Sequence, residues 1–192
     1  MTMPATSTAH HDDYPTRLPH EEWLERKDPT VWGKWSPEAP LTRAETQSFE
    51  KNGYLVLKGV FSAAEIEALQ AESARMRSGE AELAPENIIT EPNSSEVRTV
   101  FRLDEQNALF DRLARDKRVA GRVSYLLGDD VYLHQSRLNY KPGFTGKEFY
   151  WHSDFETWHA EDGMPRMRAI SASVLLTDND ALNGPLMLMP GS

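Results

Sequence analysis

The stretch VYLHQSRLNYKPGFTGKEFYWHSDFETWH, residues 131–159, decides how the chain is read. Its first ten residues alternate in the manner of a strand with one face turned to a core. Pro142, Gly143 and Gly146 then break the run, and Phe149-Tyr150-Trp151 reads as a second, short aromatic strand. That strand runs into His152-Ser153-Asp154. Side chains two apart in a strand point to one face, so the imidazole and the carboxylate can converge on a single ion. This is two thirds of a 2-His-1-carboxylate facial triad, which holds Fe(II) on one side and leaves positions open for oxygen and a co-substrate. A surface His hydrogen-bonded to a nearby Asp explains the same pair, and the spacing alone leaves both readings standing.

Working outward, residues 169–176 and 186–189 are further β-rich runs, separated by turns at Gly163, Pro165, Gly184 and Pro185. Upstream the pattern is helical. Thr42 with Glu45, and Ser62 with Glu65, are capping boxes that predict a helix ending near Asn52-Gly53 and another running to about Arg77 before Gly79. A third helical pattern covers residues 107–127, interrupted near Asp116-Lys117 and stopped by Gly128. Residues 54–58 read as a strand, and residues 80–97, with Pro85 and Pro92, as a loop. Helices followed by short strands predict an α+β fold, a sheet backed by helices.

Residues 1–40 read as an extended arm, because six prolines interrupt any period. Trp23, Trp32 and Trp35 should anchor that arm to the domain surface from about Tyr14 onward. His10, His11, Asp12 and Asp13 read as a frayed terminus, since nothing nearby would hold them as ligands. Residues 41–192 then form an incomplete domain. The run from Gly184 ends as strand and turn with an open edge, so the chain is expected to be the N-terminal part of a longer protein.

Composition narrows the chemistry. Thirty Asp and Glu against 21 Lys and Arg give a net charge of −9, which lacks the basic surface that nucleic acid or anionic lipid requires. With no cysteine, disulfides, thiolate nucleophiles and Cys-bound zinc are excluded, leaving His, Asp, Glu and water as metal ligands. No apolar run approaches the ~20 residues of a membrane span, and the first residues have no signal-peptide core, so a cytoplasmic protein is expected.

Joined together, HQSRLNYKPGF (134–144) and WHSDFETWH (151–159) are long and unusual. With NGPLMLMPGS (183–192), and more weakly IITEPNSSEVRTVF (88–101) and YPTR (14–17), they resemble the ectoine-hydroxylating members of the phytanoyl-CoA dioxygenase-like family of Fe(II)/2-oxoglutarate oxygenases. The resemblance runs from Tyr14 onward. It implies a double-stranded β-helix (jelly-roll) buttressed by N-terminal helices, and hydroxylation of ectoine to 5-hydroxyectoine with Fe(II), 2-oxoglutarate and O2. It makes His152 and Asp154 iron ligands and Gln135 an ectoine contact. Lys141, Arg137 and Asn139 become the 2-oxoglutarate side, and Trp158 a catalytic wall that holds the substrate.

Each implied role has a physical counterpart. Gln135, Arg137 and Asn139 alternate along one strand and so share a face, as they would also on a plain solvated face. Arg137 offers a bidentate fork and Lys141 a point charge to a dicarboxylate; ordinary surface salt bridges would use them equally well. An indole at Trp158 suits the delocalised cation of ectoine, and packing alone would also explain it. His159, Glu156, Glu161 and Asp162 read as solvated side chains, with Arg166 and Arg168 placed to pair with the carboxylates. The family pattern puts the second iron-binding His, and the Arg for the distal carboxylate of 2-oxoglutarate, beyond residue 192. Strands missing there would leave an apolar edge open to a homodimer.

Overall fold

The two capping boxes open helices where the sequence writes them. In α1 (Arg43–Asn52) the Thr42 hydroxyl accepts from the Glu45 N–H, the Glu45 carboxylate accepts from the Thr42 N–H, and Gly53 ends the helix in the left-handed region. Ser62 and Glu65 do the same for α2 (Ala63–Ser78), which Gly79 closes. Each reciprocal pair satisfies two N–H groups that a helix start otherwise leaves without a partner.

The computed structural model describes Tyr14, Glu25, residues 27–144 and residues 146–191; His10, His11, Asp12, Asp13 and Trp23 lie outside the described residues. After α2, a 3-10 turn at Pro85–Asn87 leads into β1 (Ile88–Thr90), a hairpin returns along β2 (Val97–Phe101), and a short α3 (Leu103–Gln106) follows. The third helical pattern resolves into α4 (Ala108–Ala114) and α5 (Ala120–Leu127), interrupted around Asp116-Lys117 and capped by Gly128 as expected. Two elements complete the order, β3 (Arg137–Asn139) and α6 (Asp154–Ala160).

The sheet is three-stranded and antiparallel, β1-β2-β3, with Val100 opposite both Ile88 and Leu138. Val100 has no exposed surface and lies in a core with Leu69, Met76, Leu103 and Phe110, so the β2 strand is backed by α2 and α4. Each such side chain contributes ~1.5–3 kcal/mol of burial. Helices around a small antiparallel sheet make the fold α+β. At the arm, the Trp32 N–H donates to the Leu126 carbonyl over 2.8 Å, and a Cβ on Gly33 would stand 1.9 Å from the Tyr125 carbonyl oxygen, so only glycine fits there.

The strand expectations are corrected in two directions. Residues 80–97 are not all loop: Ile88-Ile89-Thr90 follows Pro85 closely, and its β-branched side chains suit the ladder that β2 offers. Conversely, residues 54–58, 149–151, 169–176 and 186–189 form no ladder among the described residues, and of residues 131–140 only Arg137–Asn139 does. Alternation supplies a face, but a strand also needs a neighbour for its N–H and C=O groups.

The chain divides into two compact units, Met1–Pro29 with Trp151–Ser171, and Thr30–Tyr150 with Ala172–Ser192. The sheet, its core and helices α1 to α5 belong to the larger unit; α6 belongs to the smaller.

Candidate functional site

In the smaller unit, His152 and Asp154 come together, though not on a strand. Ser153 is the extended residue before α6 and Asp154 its first residue, so one extended step followed by a helical start turns both side chains to one side. Nε2 of His152 lies 3.5 Å from Oδ1 of Asp154. Two ligand bonds of ~2.0–2.2 Å to one ion span that separation, and an imidazole with a carboxylate is a donor set suited to Fe(II). The other carboxylate oxygen accepts from the Ser171 hydroxyl at 2.8 Å, which orients the carboxylate as an outer-shell partner does in metal sites. Ser171 carries no motif signal, and only the fold reveals it. Among the described residues, no group of three or more His, Asp and Glu side chains is placed to hold a metal ion.

The helix adds what a strand would not. Trp158 follows Asp154 by four residues, so the two share a face of α6, with the indole half-buried. Phe155 and His159 occupy the buried face instead. His159 is therefore not solvated: it is 1% exposed, stacks on Phe155, and donates from Nδ1 to the Met164 carbonyl at 2.5 Å. Tyr14 packs edge-on to both rings, donates its hydroxyl to Asp28 and accepts from the Met167 N–H at 3.0 Å. Burial pushes the Tyr14 hydroxyl pKa up, and the hydrogen bond to Asp28 adds to the rise. A small aromatic core thus holds α6 through Phe155 and His159, about 100° around the helix from Asp154 and Trp158.

In the larger unit, Arg137 and Asn139 stand on the exposed face of β3 while Leu138 turns inward, as alternation requires. Asn139 is steadied by the Thr99 hydroxyl at 3.0 Å across the ladder. Gln135 is exposed and precedes the strand, so the shared strand face expected for all three reaches only Arg137 and Asn139. The Lys141 ammonium donates to the Lys147 carbonyl at 2.9 Å and sits 5.6 Å from the Phe149 ring centre. Gly184 makes room for its stem, since a Cβ there would stand 2.7 Å from Cε of Lys141, and its φ of +69° also favours glycine.

Sequence reasoning missed the buried ion pair of Glu91 with Arg98. Glu91 is 2% exposed, and both its oxygens accept from Nη1 of Arg98, at 3.0 and 3.2 Å. The signal, a Glu and an Arg seven residues apart within residues 88–101, becomes readable only once the hairpin pairs them.

The phytanoyl-CoA dioxygenase (PhyH) family matches residues 49–192. The ectoine dioxygenase of Stutzerimonas stutzeri is 53% identical over 182 residues, covering 94% of this chain and 60% of that protein. That of Streptomyces coelicolor is 46% identical over 190 residues, covering 99% of this chain and 64% of that protein. The chain thus spans about 60% of the length of the curated relatives it matches. Among solved structures, EctD from S. alaskensis with 2-oxoglutarate and 5-hydroxyectoine superposes with a TM-score of 0.78 at 49% identity, covering 82% of this chain and 56% of that one. The same protein with bound Fe gives a TM-score of 0.72 at 51% identity, covering 74% of this chain and 51% of that one.

Proposed function

This chain belongs to the phytanoyl-CoA dioxygenase (PhyH) family, and on that premise we propose that the complete protein hydroxylates ectoine to 5-hydroxyectoine, using Fe(II), 2-oxoglutarate and O2. The observation that carries the reading is the approach of His152 Nε2 to Asp154 Oδ1, 3.5 Å, at the start of a helix in a chain about half identical to ectoine dioxygenases. His152 and Asp154 are two iron ligands in this reading, and the third is a His outside these 192 residues. The likeness to EctD supports a double-stranded β-helix for the complete domain, with further strands beside the runs 131–136, 169–176 and 186–189. The reading keeps residues 1–40 as an arm and residues 41–192 as the oxygenase domain.

Bound iron would supply oxygen activation coupled to decarboxylation of 2-oxoglutarate to succinate and carbon dioxide. The side chains do the rest. Ser171 holds the Asp154 carboxylate with one oxygen toward His152. Lys141, Arg137 and Asn139 offer two cations and an amide to the co-substrate, a combination suited to a dicarboxylate. Gln135 takes a polar group of ectoine, and Trp158 covers its delocalised cation, so that the reacting carbon is held in place. The net charge of −9 gives no footing for nucleic acid, and no helix among the described residues is long and apolar enough to cross a membrane. A cytoplasmic enzyme, paired as a homodimer, completes the reading.

The test uses the complete protein with Fe(II) and 2-oxoglutarate. Without oxygen, the visible charge-transfer band of the chelate should form; with oxygen and ectoine, hydroxyectoine and succinate should appear in equal amounts. His152→Ala or Asp154→Ala should abolish iron retention and product together, because losing one of three ligands removes the geometry that keeps the metal. Stoichiometric iron with undiminished turnover in either variant would refute the assignment.

A further inference from the structure

The segment 147–149 has no ladder and no helix, and all three residues are exposed, yet one ion pair touches each of them. Beyond its contacts to Glu91, the Arg98 guanidinium donates to the Lys147 carbonyl at 3.5 Å and the Glu148 carbonyl at 3.3 Å, and lies 4.0 Å from the Phe149 ring centre. Glu91 reaches the same segment from its other side, accepting the Lys147 N–H at 3.3 Å on both oxygens. A carboxylate this buried is costly unless it is paired and hydrogen-bonded, and here the partners are an arginine and a backbone amide of the loop. Glu91 is itself held, because its N–H donates to the Glu96 carbonyl across the β1–β2 turn. The Lys147 carbonyl that Arg98 contacts also receives the Lys141 ammonium.

We propose that the Glu91–Arg98 pair is a positioning device for the co-substrate side of the site: it ties residues 147–149 to the β1–β2 hairpin and thereby sets where the Lys141 ammonium stands. This rests on the reading of Lys141 as a cation for 2-oxoglutarate. Arg98 does not touch the co-substrate; it acts through the Lys147 carbonyl. Arginine is needed because its planar fork serves a carboxylate, two carbonyls and an aromatic face together, which an ammonium cannot.

The experiment compares the complete protein with its R98K variant. Backbone hydrogen exchange across residues 146–150, measured without iron or co-substrate, should accelerate about tenfold or more, because the loop loses its fixed fork. The 2-oxoglutarate KM should rise about fivefold or more, with the ectoine KM within about twofold. Should R98K fail to fold, E91Q carries the same test, since it removes the charge while leaving an acceptor, and the same two changes are expected at smaller size. Exchange at the parental rate, or a rise shared equally by both KM values, overturns the proposal. Failure of the underlying reading shows separately, as a parental protein that consumes no 2-oxoglutarate or an unchanged 2-oxoglutarate KM in K141A; either result removes the co-substrate role with it.

Discussion

Residues 43–128 and residues 131–150 with 172–191 obey different rules. The first region holds five helices, all five members of the main core, and ends that close on named capping residues. The second holds one three-residue strand and leaves Tyr132, Leu133, Tyr150, Leu186 and Met187 exposed. A helix satisfies its backbone within a dozen residues, so a capped amphipathic segment is complete in itself. A strand satisfies nothing alone, and an alternating run without a neighbour stays irregular. The residues assigned to ectoine and 2-oxoglutarate in this unit fall in the second region.

The sharpest way to break this contrast is to shorten one apolar side chain in each region. Met76→Ala in this chain should lower unfolding free energy by ~2–5 kcal/mol, because it empties a fully packed site. Leu188→Ala, at a half-exposed position, should change it by less than ~0.5 kcal/mol. Denaturant melts of the two variants read the difference, and equal losses would mean that the second region packs as the first does.

Trp158 asks the same question of α6. Its indole is half-buried, on the face shared with Asp154, and is not among the rings of the Tyr14, Phe155 and His159 cluster. Trp158→Ala in the complete protein should therefore cut hydroxylation about tenfold or more while retained iron and melting midpoint stay near parental values. A collapsed midpoint with normal turnover of the folded remainder would make the indole a packing residue.

Arg137 should give a smaller effect. It projects from the exposed side of β3, so Arg137→Ala should leave stability within ~0.5 kcal/mol and raise the 2-oxoglutarate KM several-fold, more than that for ectoine. Steady-state titration of each substrate decides this; a change confined to ectoine would move Arg137 to the other side of the site.

The smallest effect belongs to the first region and to acid. Arg118 joins Glu65 of α2 to Asp116 in the α4–α5 turn, and its hydrogen bonds hold both carboxyl groups down at about 2. Both are depressed below their unfolded values of ~4, so their contribution is present above about pH 4.5 and is lost as the pH falls toward 2. These groups are exposed, which keeps the effect small. The fall in melting midpoint between about pH 5 and pH 2.5 should be shallower in Arg118→Met than in the parent; identical slopes would show that the network adds nothing.

Much of the helical architecture was legible because its signals are local. Thr42 with Glu45, Ser62 with Glu65, and Gly53, Gly79 and Gly128 each lie within a turn of the boundary they mark. The pairing of His152 with Asp154 was legible for a related reason: two residues apart, they meet through one intervening backbone step. That this step opens a helix was not, since Phe149-Tyr150-Trp151 looks like a strand until its lack of a neighbour is known.

What the amino-acid order determined alone, then, is the set of helix ends, the closeness of His152 to Asp154, the family signature and the acidic, cysteine-free chemistry. Tertiary structure decided which alternating runs became strands, that Ile88-Ile89-Thr90 did so in spite of Pro85 and Pro92, that His159 is core, that Ser171 reaches Asp154, and that Glu91 is buried against Arg98. The division follows from contact range. Caps and turns form between neighbours whatever the rest of the chain does, whereas ladders, buried ion pairs and outer-shell hydrogen bonds need partners that only the folded chain brings within 3 to 4 Å.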